Sequence, residues 1–284
     1  MMERIFGGQR EMSIARVIWI LAVYEMKKNI RKLLVLALVI IGILSVLGSV
    51  VIVNLILGSP DIPEVVKAPF LRYKWYIVLS MPQFFVSLIS IAIGGGLFSS
   101  EYEDRTAYVL YTRPISRLTI FISKFSGGYL LITLLTLFYA VLAIGVSIIF
   151  FGETHGLWAA PYIVLATIYS QLIIYSLTLM FSQLTRRTIL AMLIGVAIII
   201  ISPLVEGLLL TIEFLSEWIL YILRLFPTWA MALPDYVAST LLPDFVTLDY
   251  TGDILTAVMI ILGYFLLTSS ITIYSLLKSD LVVD

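Results

Sequence analysis

The chain has 284 residues, 61% of them hydrophobic and only 13% charged, with a mean hydropathy of +1.08 and a formal net charge of zero. A soluble domain uses roughly 45–50% apolar and about 25% charged residues, so no water-soluble core could hide this much apolar surface. The neutral balance gives no global argument for nucleic acid, and the absence of cysteine removes disulfides and Cys-based metal sites from consideration.

In chain order, about 32 residues precede the first long apolar run, which is itself too long for the apolar region of a cleavable signal peptide. Within them, Ile14–Lys32 carries Ile14, Val17, Ile18 and Leu21 on one face, then Glu25, Lys27 and Lys28. The segment reads as an amphipathic helix at the cytoplasmic interface, with Trp19 and Tyr24 near headgroup level. The other reading extends it into the first span as one helix of over 40 residues.

Crossing a hydrocarbon core of about 30 Å takes roughly 17–25 apolar residues, and six runs meet that length: about 33–57, 77–98, 125–151, 161–183, 189–210 and 254–277. Such runs are far too long for barrel strands, and only helices or closed barrels satisfy the backbone in lipid. The predicted fold is therefore an all-α integral membrane protein, with residues 1–32 as a cytoplasmic segment and 33–284 as one six-span domain. Lys and Arg set its orientation. On one side lie Arg4, Arg10, Arg16, Lys27, Lys28, Arg31, Lys32, Arg105, Arg113, Arg117, Lys124, Arg186, Arg187 and Lys278, which is 14 of the 18. Both termini are expected in the cytoplasm.

The spans hold almost no ionisable groups, only polar Asn54, Gln83, Gln171 and Gln183, with Glu206 at an outer end. Intramembrane charges mark ion pathways, so their absence argues against an ion-coupled carrier. There is no nucleophile elbow, no His-Glu-x-x-His and no Walker A sequence, and the lone His155 reads as a surface loop residue. The chain is expected not to be an enzyme and to bind no cofactor or metal. Gly94, Gly95 and Gly96 read as a close helix contact or a flexible point.

Two segments between spans carry more. Glu206, Glu213, Glu217 and Arg224, spaced by 7, 4 and 7, form one stripe if their helix is continuous to Pro227. That outer stretch, apolar elsewhere, is read as dipping into the outer leaflet or packing on the spans. Asp235, Asp244, Asp249 and Asp253 follow as a solvated acidic cap. On the cytoplasmic side, Ser99–Lys124 offers Ser100 and Glu103 in capping-box spacing, with Glu101 and Asp104 in the first turn. Arg113 before Pro114 ends the helix, and Ser116 and Arg117 lead into the third span. A short rigid helix between two spans can pass motion from a soluble partner to them.

This loop resembles the signature of ABC-2-type permeases, an acidic pair, Thr, Leu, then Pro-Ile-Ser-Arg and a Lys. Glu101, Glu103, Thr106, Leu110, Pro114, Ile115, Ser116, Arg117 and Lys124 stand at the matching places. Arg105 replaces the usual Gly, a change that a helix would accept. With six spans and the interfacial helix, the resemblance covers nearly the whole chain. It implies an ABC transporter permease subunit in the cell membrane, with a second permease chain as partner and a separate ATPase subunit that binds ATP and Mg. It further implies that Glu101, Glu103, Arg105, Thr106, Pro114, Ser116 and Arg117 belong to a coupling helix docking on that ATPase. The segment before the last span would be re-entrant and close the external side, and the cargo would be exported. An ion-coupled carrier or channel and a non-transporting membrane scaffold are the alternatives.

Overall fold

The computed structural model describes residues 13–59, 72–106, 116–152, 155–213, 218–242 and 253–278. Among them there is no strand. The helices are α1 (Ile14–Ile30), α2 (Leu33–Gly58), α3 (Lys74–Gly96), α4 (Ser99–Glu103), α5 (Arg117–Phe151), α6 (Ala160–Thr185), α7 (Thr188–Glu213), α8 (Trp218–Arg224), α9 (Pro227–Met231), α10 (Leu233–Leu241) and α11 (Ile254–Lys278). Six of these, α2, α3, α5, α6, α7 and α11, are long and apolar enough to cross a membrane, and each overlaps one of the six apolar runs of the sequence, with α5 starting earlier, at Arg117.

The chain breaks at Arg31 and Lys32, so α1 is a helix in its own right rather than an extension of the first span. Ser13 caps it, its hydroxyl accepting from the Arg16 amide. Packing then decides where it goes. α1 runs antiparallel along the first half of α5, with Glu25 beside Lys124 and Ala22 against Gly127. A Cβ on Gly127 would sit 2.5 Å from the Ala22 carbonyl oxygen, so glycine is what lets the two backbones touch.

α6 and α3 form the centre of the bundle. Most of α6 is buried, whereas α2, α7 and α11 leave most of their apolar surface bare. Between α3 and α6 runs a ladder of side-chain hydrogen bonds. Gln83 donates to Thr167 at 3.2 Å, Ser90 to Gln171 at 3.1 Å, and Gln171 to Ser87 at 3.2 Å. In hydrocarbon such bonds are interhelical glue, which is the use this fold makes of its span glutamines. The Gly94–Gly96 run is likewise a contact device. Side chains there would strike α6 at Tyr175, α7 at Met192 and the Lys32 ammonium, respectively.

Several expectations are revised. Ser100 and Glu103 do not form a capping box. α4 is only five residues long, Ser100 donates back to the Gly96 carbonyl at 2.7 Å, and Glu103 reaches across to α7. Arg105 is not helical but left-handed, with φ +56°, the conformation for which glycine is the natural residue. The chain therefore turns where the sequence suggested helix. Asp235 is not a solvated surface acid, because the Tyr76 hydroxyl of α3 donates to its carboxylate. Asp253 is exposed and accepts from the Leu255 and Thr256 amides at the start of α11, while Asp244 and Asp249 lie outside the described residues.

Candidate functional site

The end of the bundle that carries α4 gathers most of the polar chemistry. It is built from α1, α4, the start of α5 and the α6–α7 turn, and Lys124 is its hub. Because α5 begins at Arg117 rather than near Phe125, Lys124 falls two turns inside a helix and points into the protein. Its ammonium donates to Glu25 of α1 at 2.9 Å, to the Leu97 carbonyl at 3.0 Å and to Glu101 of α4. Lys124, Glu25 and Glu101 are only 2%, 6% and 7% exposed.

An ammonium has three N–H donors, and all three are used. Burial of the charges is thus matched by direct ion pairing, which is what makes a buried charge tolerable. The Phe98 ring lies 5.5 Å from the same nitrogen. The second Glu101 carboxylate oxygen and the Asn29 side-chain oxygen are buried with no hydrogen-bond partner among the described residues. Two carboxylates and one ammonium leave this pocket with an excess of acceptors. Close by, at the α1–α2 break, burial and then the like charge of Lys28 hold the Lys32 ammonium down to about 8.

Sequence reading missed this triad. It counted the spans as nearly free of buried charge because Lys124 stood at a predicted loop edge and Glu25 on a surface helix.

Glu103 has a different task. Its carboxylate accepts from the Thr188 amide at 2.8 Å and the Thr188 hydroxyl at 2.7 Å, which places an anion on the N-terminus of α7. Ser182 of α6 adds a second tie, accepting from the Ser99 and Phe98 amides at 2.9 and 3.2 Å. Tyr102 meets Gln183, whose amide donates to its hydroxyl at 3.1 Å, while the Arg186 guanidinium lies over the Tyr102 ring. The five residues of α4 are therefore fastened directly to α5, α6 and α7, and through Lys124 to Glu25 of α1.

The other residues singled out from the loop divide. Arg105 is exposed at its left-handed turn, and the Thr106 hydroxyl donates to the Glu101 carbonyl at 3.4 Å. Ser116 caps α5, accepting from the Thr119 amide at 3.1 Å. Arg117 donates to the Leu276 and Leu277 carbonyls at 2.6 and 2.8 Å, holding the last turn of α11. Pro114 lies outside the described residues.

At the opposite end, α9 and α10 fold back onto α6 and α11, burying Trp229, Leu233 and Tyr236. Glu206 is buried in α7 and accepts from Thr228 of α9 and from Ser202, so it ties a short helix down. Arg224 lies over Tyr221. Glu213 closes α7, but its side chain and all of Glu217 lie outside what is described. Burial raises the Asp235 carboxyl above the ordinary carboxylate range, with the Tyr76 hydrogen bond pulling the other way. Among the described residues no group of three or more acidic or histidine side chains could hold a metal.

No curated protein sequence matches the chain. A family model does, that of the ABC-2 family transporter protein, over residues 19–281. That span takes in α2 to α11 and most of α1, so the six spans, the lysine hub and the fastened α4 all fall within it, and the chain belongs to the ABC-2 transporter family.

Proposed function

We propose that this membrane permease works as one half of an exporter, driven by a separate ATPase that docks on α4 and the turn beyond it. The observation that carries the proposal is the fastening of α4. A five-residue helix bound to α5, α6 and α7, and through Lys124 to α1, can hand a push from outside to those helices without losing it in side-chain motion. Arg105 and Thr106, just past its C-terminal end, supply the contact surface. Glu101 acts from inside, through Lys124, and Glu103 through the α7 N-terminus. In this reading the α4 end is cytoplasmic, in line with the 14-to-4 distribution of Lys and Arg. The short helices α9 and α10 then close the external end, and two permease chains share the pathway.

The chain has no cysteine, which makes the test clean. Thr106→Cys, carrying a short photo-cross-linker in native membranes, is expected to capture a P-loop ATPase, while Trp158→Cys at the opposite end captures none. Capture from Trp158 alone would reverse the orientation. Solute movement down an ion gradient by the chain alone, reconstituted without any ATPase, would replace the proposal with a secondary carrier.

A further inference from the structure

Between α1 and α5 lies an open groove of about 480 Å³, walled by Ile18, Trp19 and Ala22 on one side and Phe125, Tyr129 and Leu130 on the other. Its size is in the range of sites for small apolar molecules, roughly 300–1,000 Å³. The hydroxyl protons on its α5 wall are already engaged within the protein. Ser126 donates to the Ser123 carbonyl, Tyr129 to the Ile168 carbonyl and Thr133 to the Tyr129 carbonyl. The groove therefore asks for hydrocarbon, not for a hydrogen-bonding ligand.

Helix length says where it lies. α5 has 35 residues, about 52 Å at 1.5 Å per residue, against a hydrocarbon core of about 30 Å. Its far end stays apolar and exposed to the last turn, at Ile149 and Phe150. The surplus of about 15 residues accordingly sits at the Arg117 end, and the groove, beside Phe125–Thr133, straddles the boundary between headgroups and acyl chains. Trp19, 61% exposed on its rim, is the residue type enriched at that depth. Below it the backbone contact of Ala22 with Gly127 shuts the groove toward the lysine hub. The basic last turn of α1, Lys27 and Lys28, continues in the headgroup direction.

We infer that this groove is a phospholipid site: one acyl chain lies between α1 and α5, with its headgroup toward the basic end of α1. The site holds α1 in place and does not depend on which solute is carried or on the ATPase.

The test uses the intact chain in nanodiscs of phosphatidylcholine and phosphatidylglycerol, with a phospholipid bearing a mid-chain diazirine as probe. Mass spectrometry of the labelled peptides is expected to find saturable label at 15–22 and 125–133, competed out by unlabelled lipid. Ala15→Phe, on an exposed position of the wall, is expected to cut that label at least fivefold. It should leave label on the bare face of α2, at Leu36 and Leu44, unchanged. Label at 125–133 that does not saturate, or that Ala15→Phe leaves intact, overturns the site. So does efficient disulfide formation between two copies carrying Ala15→Cys, since a second chain would then fill the groove. Brominated acyl chains give an independent readout: the Trp19 component of the fluorescence, the part lost in Trp19→Phe, is expected to be quenched more strongly than the remainder. Equal quenching of the two parts counts against the site.

Discussion

Lys124 shows how one side chain can decide whether neighbouring parts of a membrane protein stay together. Removing one partner of a buried ion pair is costly because it leaves the other charges uncompensated, by about 3–5 kcal/mol in typical cases. Lys124→Met strands two carboxylates, so it is expected to lower the melting temperature of the detergent-purified chain substantially. Glu25→Gln/Lys124→Met/Glu101→Gln, which removes all three charges, is expected to recover much of the loss. A triple variant no more stable than Lys124→Met would mean that the charges are not the reason. Lys32 offers a pH handle. Its folded value, about 8, is below the ordinary 10.5, so between these values the unfolded chain binds more protons than the folded one. Stability from this group is therefore expected to rise as pH increases from about 8 toward 10.5. The rise should vanish in Lys32→Met, as followed by thermal melts across that window.

The triad was not legible in the sequence, for a physical reason. Its members are 23 and 99 residues from Lys124, and nothing in composition or periodicity links them. A basic residue beside a span also looks the same whether it faces water or a carboxylate. Only the extension of α5 back to Arg117 turns Lys124 inward. What could have flagged it is the odd placement of Glu25 on the apolar side of an otherwise basic segment.

Among elements, α4 and α1 depart most from their sequence reading. Arg105 looked helix-compatible, and helix propensity is indeed kinder to Arg than to Gly. The chain there is turning, however, and a left-handed residue other than glycine carries a strain of roughly 1 kcal/mol. Arg105→Gly is thus expected to be neutral to slightly stabilising in a melt, by up to about 1 kcal/mol; a clear loss would show that the Arg105 side chain holds the turn. α1 was legible as a separate helix from its pattern and its basic end, but its partner was not, because close backbone approach depends on a single glycine. Gly127→Val is expected to pry α1 from α5, seen as faster hydrogen exchange across residues 14–30. Exchange there as slow as in the unmodified chain would mean that α1 is held by other contacts.

In the whole molecule, the division between a packed centre and a bare rim predicts which substitutions matter. A Cβ on Gly94 would come within 2.9 Å of the Tyr175 carbonyl, whereas at Gly48 and Gly263 nothing lies within 4 Å. Gly94→Ala is expected to reduce yield and melting temperature. Gly48→Ala and Gly263→Ala should be tolerated or gain up to about 1 kcal/mol from helix propensity, with size-exclusion profiles and melts as the measure. The six spans were readable because bilayer thickness imposes one length on every crossing. The order of packing was not, because apolar runs of similar composition do not reveal which of them will be central. α6 owes its place to small and hydroxyl residues such as Ser170, Thr178 and Ser182, buried where α2 presents leucines to the outside.

The bond from Arg117 to the Leu276 and Leu277 carbonyls joins positions 159 and 160 residues apart. During synthesis, the arginine enters the membrane region long before its acceptors have been translated. The last turn of α11 is thus a late-arriving clasp, and assembly of the α4 end is completed only after α11 has been synthesised. A chain cut short before Leu276 would keep most of α11 yet lack both acceptors, so it would have its spans without that closure.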